Sequence, residues 1–252
     1  MMPESLRQAL CSALISWADD ELLLGHRDSE WTGLGPIIEA DIALSSMAQD
    51  EMGHALAWYE LAHSLGAPDP DRLVFERGPE AYRNATLLEL PRGDWAFCLL
   101  RHYLFDMAEW VRLEAWRQIP WEPWSDLAER ITREEKYHLL HDRTWLERLA
   151  FGTEESRHRL QGALIDLWPH ALGLWEAPEG EDLLVQAGWI TGSDQLQARW
   201  EAEVRAYLGG LGLQIPDVPP RAGGRYGRHT EHLAPLLEAM QLVYRSIPGA
   251  KW

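Results

Sequence analysis

The chain has 252 residues, 46% of them hydrophobic, enough to bury a substantial core in one large domain or two small ones. Against 23 Lys and Arg stand 40 Asp and Glu, a net charge of −17, which argues against nucleic acid or an anionic membrane as partner. The two cysteines, Cys11 and Cys98, lie in apolar helical sequence and exclude a disulfide framework. No apolar run approaches a membrane span and MMPESLRQAL has no signal-peptide pattern, so the expectation is a cytoplasmic protein.

Helical periodicity dominates, and no stretch sustains strand alternation. A first helix is predicted from about Ser5 to Arg27, with Leu10, Leu14, Trp17, Glu21 and Leu24 on one stripe. After the turn-like DSEWTGLGP, Pro36 suits the first position of a second helix, which Gly66 closes after Leu65. Its stripe is Leu44, Met47, Glu51, His54, Trp58, Leu61 and Leu65, in steps of three and four residues that stack on one face. Residues 67–92 hold four prolines and read as a long crossover with a short helical piece.

A third helix, about Asp94 to Gln118, carries Leu99, Tyr103, Asp106, Trp110 and Leu113, and Pro120 and Pro123 break it. A fourth, about Ser125 to Ala150, carries Ala128, Ile131, Glu135, His138, Asp142, Trp145 and Leu149. Thr153 caps a fifth that runs through Leu174, with a kink expected at Pro169. Beyond Trp175 the composition shifts: a linker, a short helix, a helix capped by Ser193 and reaching Leu208, a Pro/Gly-rich stretch at 213–228, and a last amphipathic helix from about Thr230 to Ser246. The reading is a single all-α domain, a helical bundle over 1–175 with a C-terminal helical appendage over 176–252.

The two halves repeat a pattern. Glu21 precedes Glu51 by 30 residues and Asp106 precedes Glu135 by 29, so each half is a carboxylate helix followed by a Glu-x-x-His helix. Four antiparallel helices would converge Glu21, Glu51, His54, Asp106, Glu135 and His138 on the bundle axis, the donor set of a di-iron or di-manganese carboxylate site. Carboxylate oxygens with a few imidazoles suit iron or manganese, and thiolates, which would favour zinc, are missing. The bland alternative is a metal-free polar network, which must then carry four buried carboxylates unneutralised. Asp50 and Glu134, each immediately before a ligand glutamate, are candidates to hold the far nitrogen of a histidine from the opposing half.

The motif is weak by itself, because four Glu-x-x-His pairs occur. Glu60 lies nine residues from Glu51, which at about 100° per residue points to the opposite face. Glu155 with His158 is off the inward stripe in the same way, and both extra pairs read as solvated. A patch with Trp116, Trp121, Trp124 and Trp189 on helical faces outside the four-helix core is expected to mediate association.

The stretches AQDEMGHALAWYELAHSLG and REEKYH resemble the di-iron helices of bacterial phenylacetyl-CoA epoxidase subunits. GHRDSEW, DIAL, WLERLAFGT and the tail GRHTEHLAPLLEAMQLVYRSIPGAKW resemble the structural subunit of that complex, and the tail is the most specific part. The resemblance covers nearly the whole chain. It implies a ferritin-like bundle within a hetero-oligomer that epoxidises the aromatic ring of phenylacetyl-CoA. Structural subunits of this kind typically lack metal ligands and leave the chemistry to a catalytic paralogue. Here the catalytic paralogue's pattern is matched at all six positions from Glu21 to His138.

The expectation is therefore an epoxidase subunit with its own dioxygen-activating centre of two iron ions, manganese being the other metal that fits. Its partners would be a reductase and a paralogous subunit, since the chain has no flavin fingerprint or iron–sulfur cysteine set. An acyl-CoA would be its substrate. The alternatives are a non-catalytic scaffold for a catalytic paralogue, or a ferritin-like protein that handles iron or peroxide.

Overall fold

A computed structural model describes residues 2–247, so the last five residues of the tail stretch, 248–252, lie outside it. Among the described residues there is no sheet. The first two helices are α1 (Glu4–Ser29) and α2 (Ile38–Ser64). α1 carries Glu4 in its first turn and Arg27 in its last, each sign complementing the helix dipole. α2 begins two residues beyond Pro36. The Asp41 carboxylate accepts the backbone N–H groups of Gly33 and Gly35 at 3.1 and 3.0 Å, which folds the preceding turn onto the helix start and leaves Ile37 extended. Gly66, at φ +101°, ends α2 in a conformation that side chains with a Cβ rarely adopt.

The crossover holds one short helix, α3 (Pro70–Phe75), and two 3-10 turns. α4 (Trp95–Trp116) is capped by Asp94, whose carboxylate accepts the Phe97 N–H at 3.0 Å. α5 (Glu122–Phe151) starts earlier than the sequence pattern indicated: Pro123, read as a breaker of the preceding helix, sits in the first turn of this one, where its missing N–H costs nothing. α6 (Glu154–Leu172) opens with reciprocal bonds between Thr153 and Ser156, both at 3.0 Å.

Three further helices complete the chain, α7 (Glu181–Gln186), α8 (Ser193–Gly210) and α9 (Leu233–Ser246). Ser193 is the first residue of α8 and not its cap, because its hydroxyl is taken by Glu181 at 2.5 Å.

α1 packs chiefly on α2, and α4 on α5, giving two hairpins that close into a four-helix bundle with α6 and α8 laid against α4. The C-terminal segment is tied into this core. Trp200 of α8 stacks on Trp168 with centroids 5.4 Å apart and donates its indole N–H to the Leu104 carbonyl at 3.2 Å. The buried Arg225 reaches Asp20 of α1 at 2.5 Å and the Ser16 carbonyl at 2.9 Å. The architecture is a ferritin-like helical bundle with additional C-terminal helices.

One expectation is overturned. Trp116 and Trp124 are not on an outer face but fully inside, and Trp121 and Trp189 are half-buried against the same cluster. Trp116 and Trp124 pack on Trp17 with centroids 4.0 and 5.2 Å away, and Trp58 joins them, filling one end of the bundle. Exposed apolar side chains lie elsewhere, among them Ile38, Ile42, Met52 and Leu56 of α2 and Tyr137 and Leu140 of α5. Among the described residues no helix is long and apolar enough to cross a membrane.

Candidate metal centre

The bundle interior is polar where the four long helices face one another. α1 supplies Glu21, α2 supplies Glu51 and His54, α4 supplies Asp106, and α5 supplies Glu135 and His138. None of these six side chains is more than 2% exposed. Their convergence depends on close packing of α1 and α2. A Cβ on Gly25, one turn after Glu21, would stand 3.0 Å from the Ala48 carbonyl and 3.1 Å from the Glu51 Cβ.

Both histidines present Nδ1 to the interior. His138 Nδ1 lies 3.2 Å from Glu51 Oε1 and 3.0 Å from Glu135 Oε1. His54 Nδ1 lies 3.7 Å from Glu51 Oε2, 3.7 Å from Glu135 Oε1 and 3.9 Å from Glu21 Oε2. The two oxygens of Glu51 thus address different imidazoles. The outward nitrogens are held crosswise: His54 Nε2 meets Glu134 Oε2 at 2.7 Å, and His138 Nε2 meets Asp50 Oδ2 at 3.3 Å. Each carboxylate belongs to the opposite hairpin, and each favours the tautomer that leaves Nδ1 free for the interior.

Two residues that the sequence pattern did not single out belong to this interior. Glu109, one turn beyond Asp106 and 3% exposed, joins Glu21, Glu51 and His54, with one donor atom from each lying within 4.8 Å of the others. Asp106 groups instead with Glu135 and His138, and also with His102 and Asp142. His102, fully buried, sits 2.8 Å from Asp106 and 3.2 Å from Asp142. The physical reason for both omissions is the same. α4 is buried on nearly every side, between α5, α6 and α8, so its apolar periodicity does not mark which face looks inward. The available signal was a run of acidic and imidazole residues at 102, 106 and 109, spaced about one turn apart in a largely apolar helix. The two remaining Glu-x-x-His pairs, Glu60 with His63 and Glu155 with His158, are exposed, as their helical phase requires.

The charges in this interior are strongly coupled. Burial, then the neighbouring Glu109 and Glu51, pushes the Glu21 carboxyl well above its usual range. Burial pushes Glu109 up to about 8, partly offset by its contact with Glu21. Burial would raise Glu51 too, but contacts with Glu21, His138 and His54 outweigh it and hold this carboxylate well below the usual range. Burial disfavours a charged His54, yet the carboxylates of Glu134 and Glu51 bring it up to about 10. For His138 the same contest between burial and the surrounding carboxylates also ends in a raised value.

This arrangement fits a cation better than it fits protein hydrogen bonding. Glu21 Oε2, Glu109 Oε2, Asp106 Oδ1, both oxygens of Glu51 and of Glu135, and Nδ1 of His54 and of His138 are buried and make no hydrogen bond. Orphaned buried polar atoms are rare because each costs about 1–3 kcal/mol, and more when charged. Here they all face one another. Donor atoms come within ligand spacing in four overlapping groups: Glu21, Glu51, His54 and Glu109; Asp106, Glu135 and His138; Glu51, His102 and His138; and His102, Asp106 and Asp142. Such oxygen-rich sets with imidazole can coordinate a hard or borderline divalent ion.

Known proteins share both the sequence and the fold. The chain is 36% identical over 239 residues to the C component of 1,2-phenylacetyl-CoA epoxidase from Escherichia coli (strain K12), covering 93% of this chain and 95% of that one. It is 24% identical over 223 residues to the A component of the same epoxidase, covering 86% of this chain and 71% of the relative. Among solved structures, Protein 19 with aldehyde deformylating oxidase activity from Synechococcus superposes with a TM-score of 0.63 at 16% identity, over 84% of this chain and 93% of that one, which shows the shared fold. The family model for the phenylacetic acid catabolic protein (PaaA_PaaC) matches residues 1–252, and the chain belongs to that family.

Proposed function

We propose that the chain is the partner subunit of a phenylacetyl-CoA epoxidase-type complex, one that holds a catalytic paralogue and keeps a two-cation carboxylate–histidine centre of its own. The observation that carries this reading is the closure of the centre. Glu21, Glu51, His54, Asp106, Glu109, Glu135 and His138 are all at most 3% exposed. Five surface cavities are lined entirely by other residues. A bulky acyl thioester needs a concave opening onto the reacting atoms, of the kind that ligand sites usually provide preformed. The uncovered apolar side chains of Ile38, Ile42, Met52 and Leu56, with Tyr137 and Leu140, support an association role. So does the match to two named components of one epoxidase.

The seven interior residues would hold the cations, with Asp50 and Glu134 fixing the two imidazoles. Two iron ions there would supply the capacity to bind and activate dioxygen, and manganese fits the same donors. The protein's own contribution is to exclude bulk water and keep Nδ1 of both histidines inward, while the cations would neutralise buried carboxylates that otherwise take up protons.

A second reading is favoured by the completeness of the donor set: the chain is itself an oxygenase that acts on the acyl-CoA, with electrons from a reductase. One experiment separates the two. The parent chain and its Glu51→Ala variant are each reconstituted with a reductase and a paralogue of the epoxidase's A-component type, and epoxide formed from phenylacetyl-CoA is measured. The partner reading predicts that the variant loses metal, still assembles and supports turnover near the parent rate. Turnover that falls with the metal while assembly persists establishes the oxygenase reading. A parent chain that does not associate with the paralogue overturns the partner role.

A further inference from the structure

His102 touches one carboxylate from each of the four bundle helices. Its Nδ1 lies 2.8 Å from Asp106 Oδ2 of α4 and 3.2 Å from Asp142 Oδ2 of α5. Its Nε2 lies 3.0 Å from Asp28 Oδ2 of α1 and 3.7 Å from Glu51 Oε1 of α2. All five residues are fully buried. Nδ1 is engaged by Asp106 and Asp142, whereas Nε2 faces Asp28 at 3.0 Å without making a hydrogen bond. The Nδ1 side of the ring is thus the side that holds carboxylates.

The effect on Asp106 is selective. Oδ2 is held by the imidazole, whereas Oδ1 makes no hydrogen bond and Asp106 groups with Glu135 and His138 at ligand spacing. The clamp is anchored from outside the bundle. Arg101 donates to the Leu90 and Pro91 carbonyls at 3.0 and 3.3 Å, and its guanidinium lies 3.8 Å from Asp28. A buried carboxylate with one oxygen tethered has a single orientation to offer, and fixing it in advance removes the cost of ordering it when a cation arrives.

We propose that His102 is a positioning residue for the second cation position: it holds Asp106 by one oxygen and aims the other at the space shared with Glu135 and His138. The inference rests on the reading of the seven interior residues as ligands. It also makes the two positions unequal. The position formed by Glu21, Glu51, His54 and Glu109 meets His102 only through Glu51, at 3.7 Å, and is largely independent of it.

The test counts iron(II) bound per chain under anaerobic conditions and measures each affinity by chelator competition, in the full-length protein. The parent binds two cations. His102→Ala keeps the first and binds the second about 10–100-fold more weakly, the usual consequence of removing a group that orients a ligand. His102→Gln, whose amide can still donate to Asp106, loses less than about tenfold. Leu99→Ala, a buried apolar truncation on the same helix, melts at lower temperature but keeps both cations, which a purely structural role for His102 would not predict. If the alanine variant does not fold, His102→Leu, which fills the space without a donor, replaces it with the same expectation. Two cations at parental affinity in the alanine or leucine variant overturn the role of His102. So does a glutamine variant as defective as alanine, or an equal loss in Leu99→Ala. A parent chain that binds only one cation overturns the second position itself, and one that binds none overturns the ligand reading on which the proposal stands.

Discussion

His54 and Glu134 are eighty residues apart in sequence, yet Nε2 of one meets Oε2 of the other at 2.7 Å across the α2–α5 contact. Asp50 and His138 make the reciprocal connection at 3.3 Å. The two hairpins therefore orient each other's imidazoles. Replacing Glu134 by Gln or Asp50 by Asn is expected to weaken cation binding about 10–100-fold without unfolding the chain, because each acceptor is partly solvent-exposed and the amide oxygen can still accept from the imidazole. Chelator competition on the folded variants measures this, and affinities equal to the parent would contradict it.

Glu51→Ala, His138→Ala and Glu109→Ala are each expected to abolish or halve metal content, since each removes a donor from one or both groups. Glu60→Ala should change neither metal content nor stability by more than about half a kcal/mol, as exposed substitutions usually do. Metal analysis and urea unfolding decide the matter. A Glu109 variant with full metal content would return α4 to a single ligand, Asp106.

Gly25→Ala places a Cβ 3.0 Å from the Ala48 carbonyl and 3.1 Å from the Glu51 Cβ. The backbone of α2 must yield, at an expected cost of about 1–3 kcal/mol for overpacking. Because Glu51 moves with it, metal affinity falls alongside stability. An alanine variant as stable as the parent would show that the helices do not need this close approach.

In chelator, the metal-free protein should become less stable as pH rises. The Glu109 carboxyl has an ordinary value of 4.5 and is held at about 8 in the folded chain, so between those values the folded state keeps a proton that the unfolded state has released. His54, raised from 6.5 to about 10, acts in the same direction: its contribution is complete below 6.5 and is lost as pH rises through about 10. Cation binding needs the carboxylates deprotonated, so added metal should stabilise the protein more at alkaline than at acid pH. Thermal melts across this range with and without iron(II) read both slopes. A metal-free chain that gains stability from about pH 5 to 9 would contradict the protonated, crowded interior.

The helices and most of the centre are legible in the sequence because Glu21, Glu51, His54, Glu135 and His138 interrupt largely apolar stripes of helical period on α1, α2 and α5. The crosswise partners Asp50 and Glu134 are legible from their place immediately before Glu51 and Glu135. α4 defeated that logic. Apolar on almost every side, it gave no phase by which to prefer 109 over 110, and Trp110 was placed on the inward stripe although Glu109 is the more buried of the two. The tryptophans failed for a related reason: their composition near Pro120 and Pro123 resembles a sticky surface, and only the packing of Trp17 and Trp58 against them reveals an interior cluster.

Anomalous diffraction at the iron edge, from crystals of the full chain loaded with iron(II), tests the account most directly. It predicts two peaks inside the bundle, one bound by Glu21, Glu51, His54 and Glu109 and the other by Asp106, Glu135 and His138. A bundle interior without an anomalous peak, or iron found only on the protein surface, would contradict it.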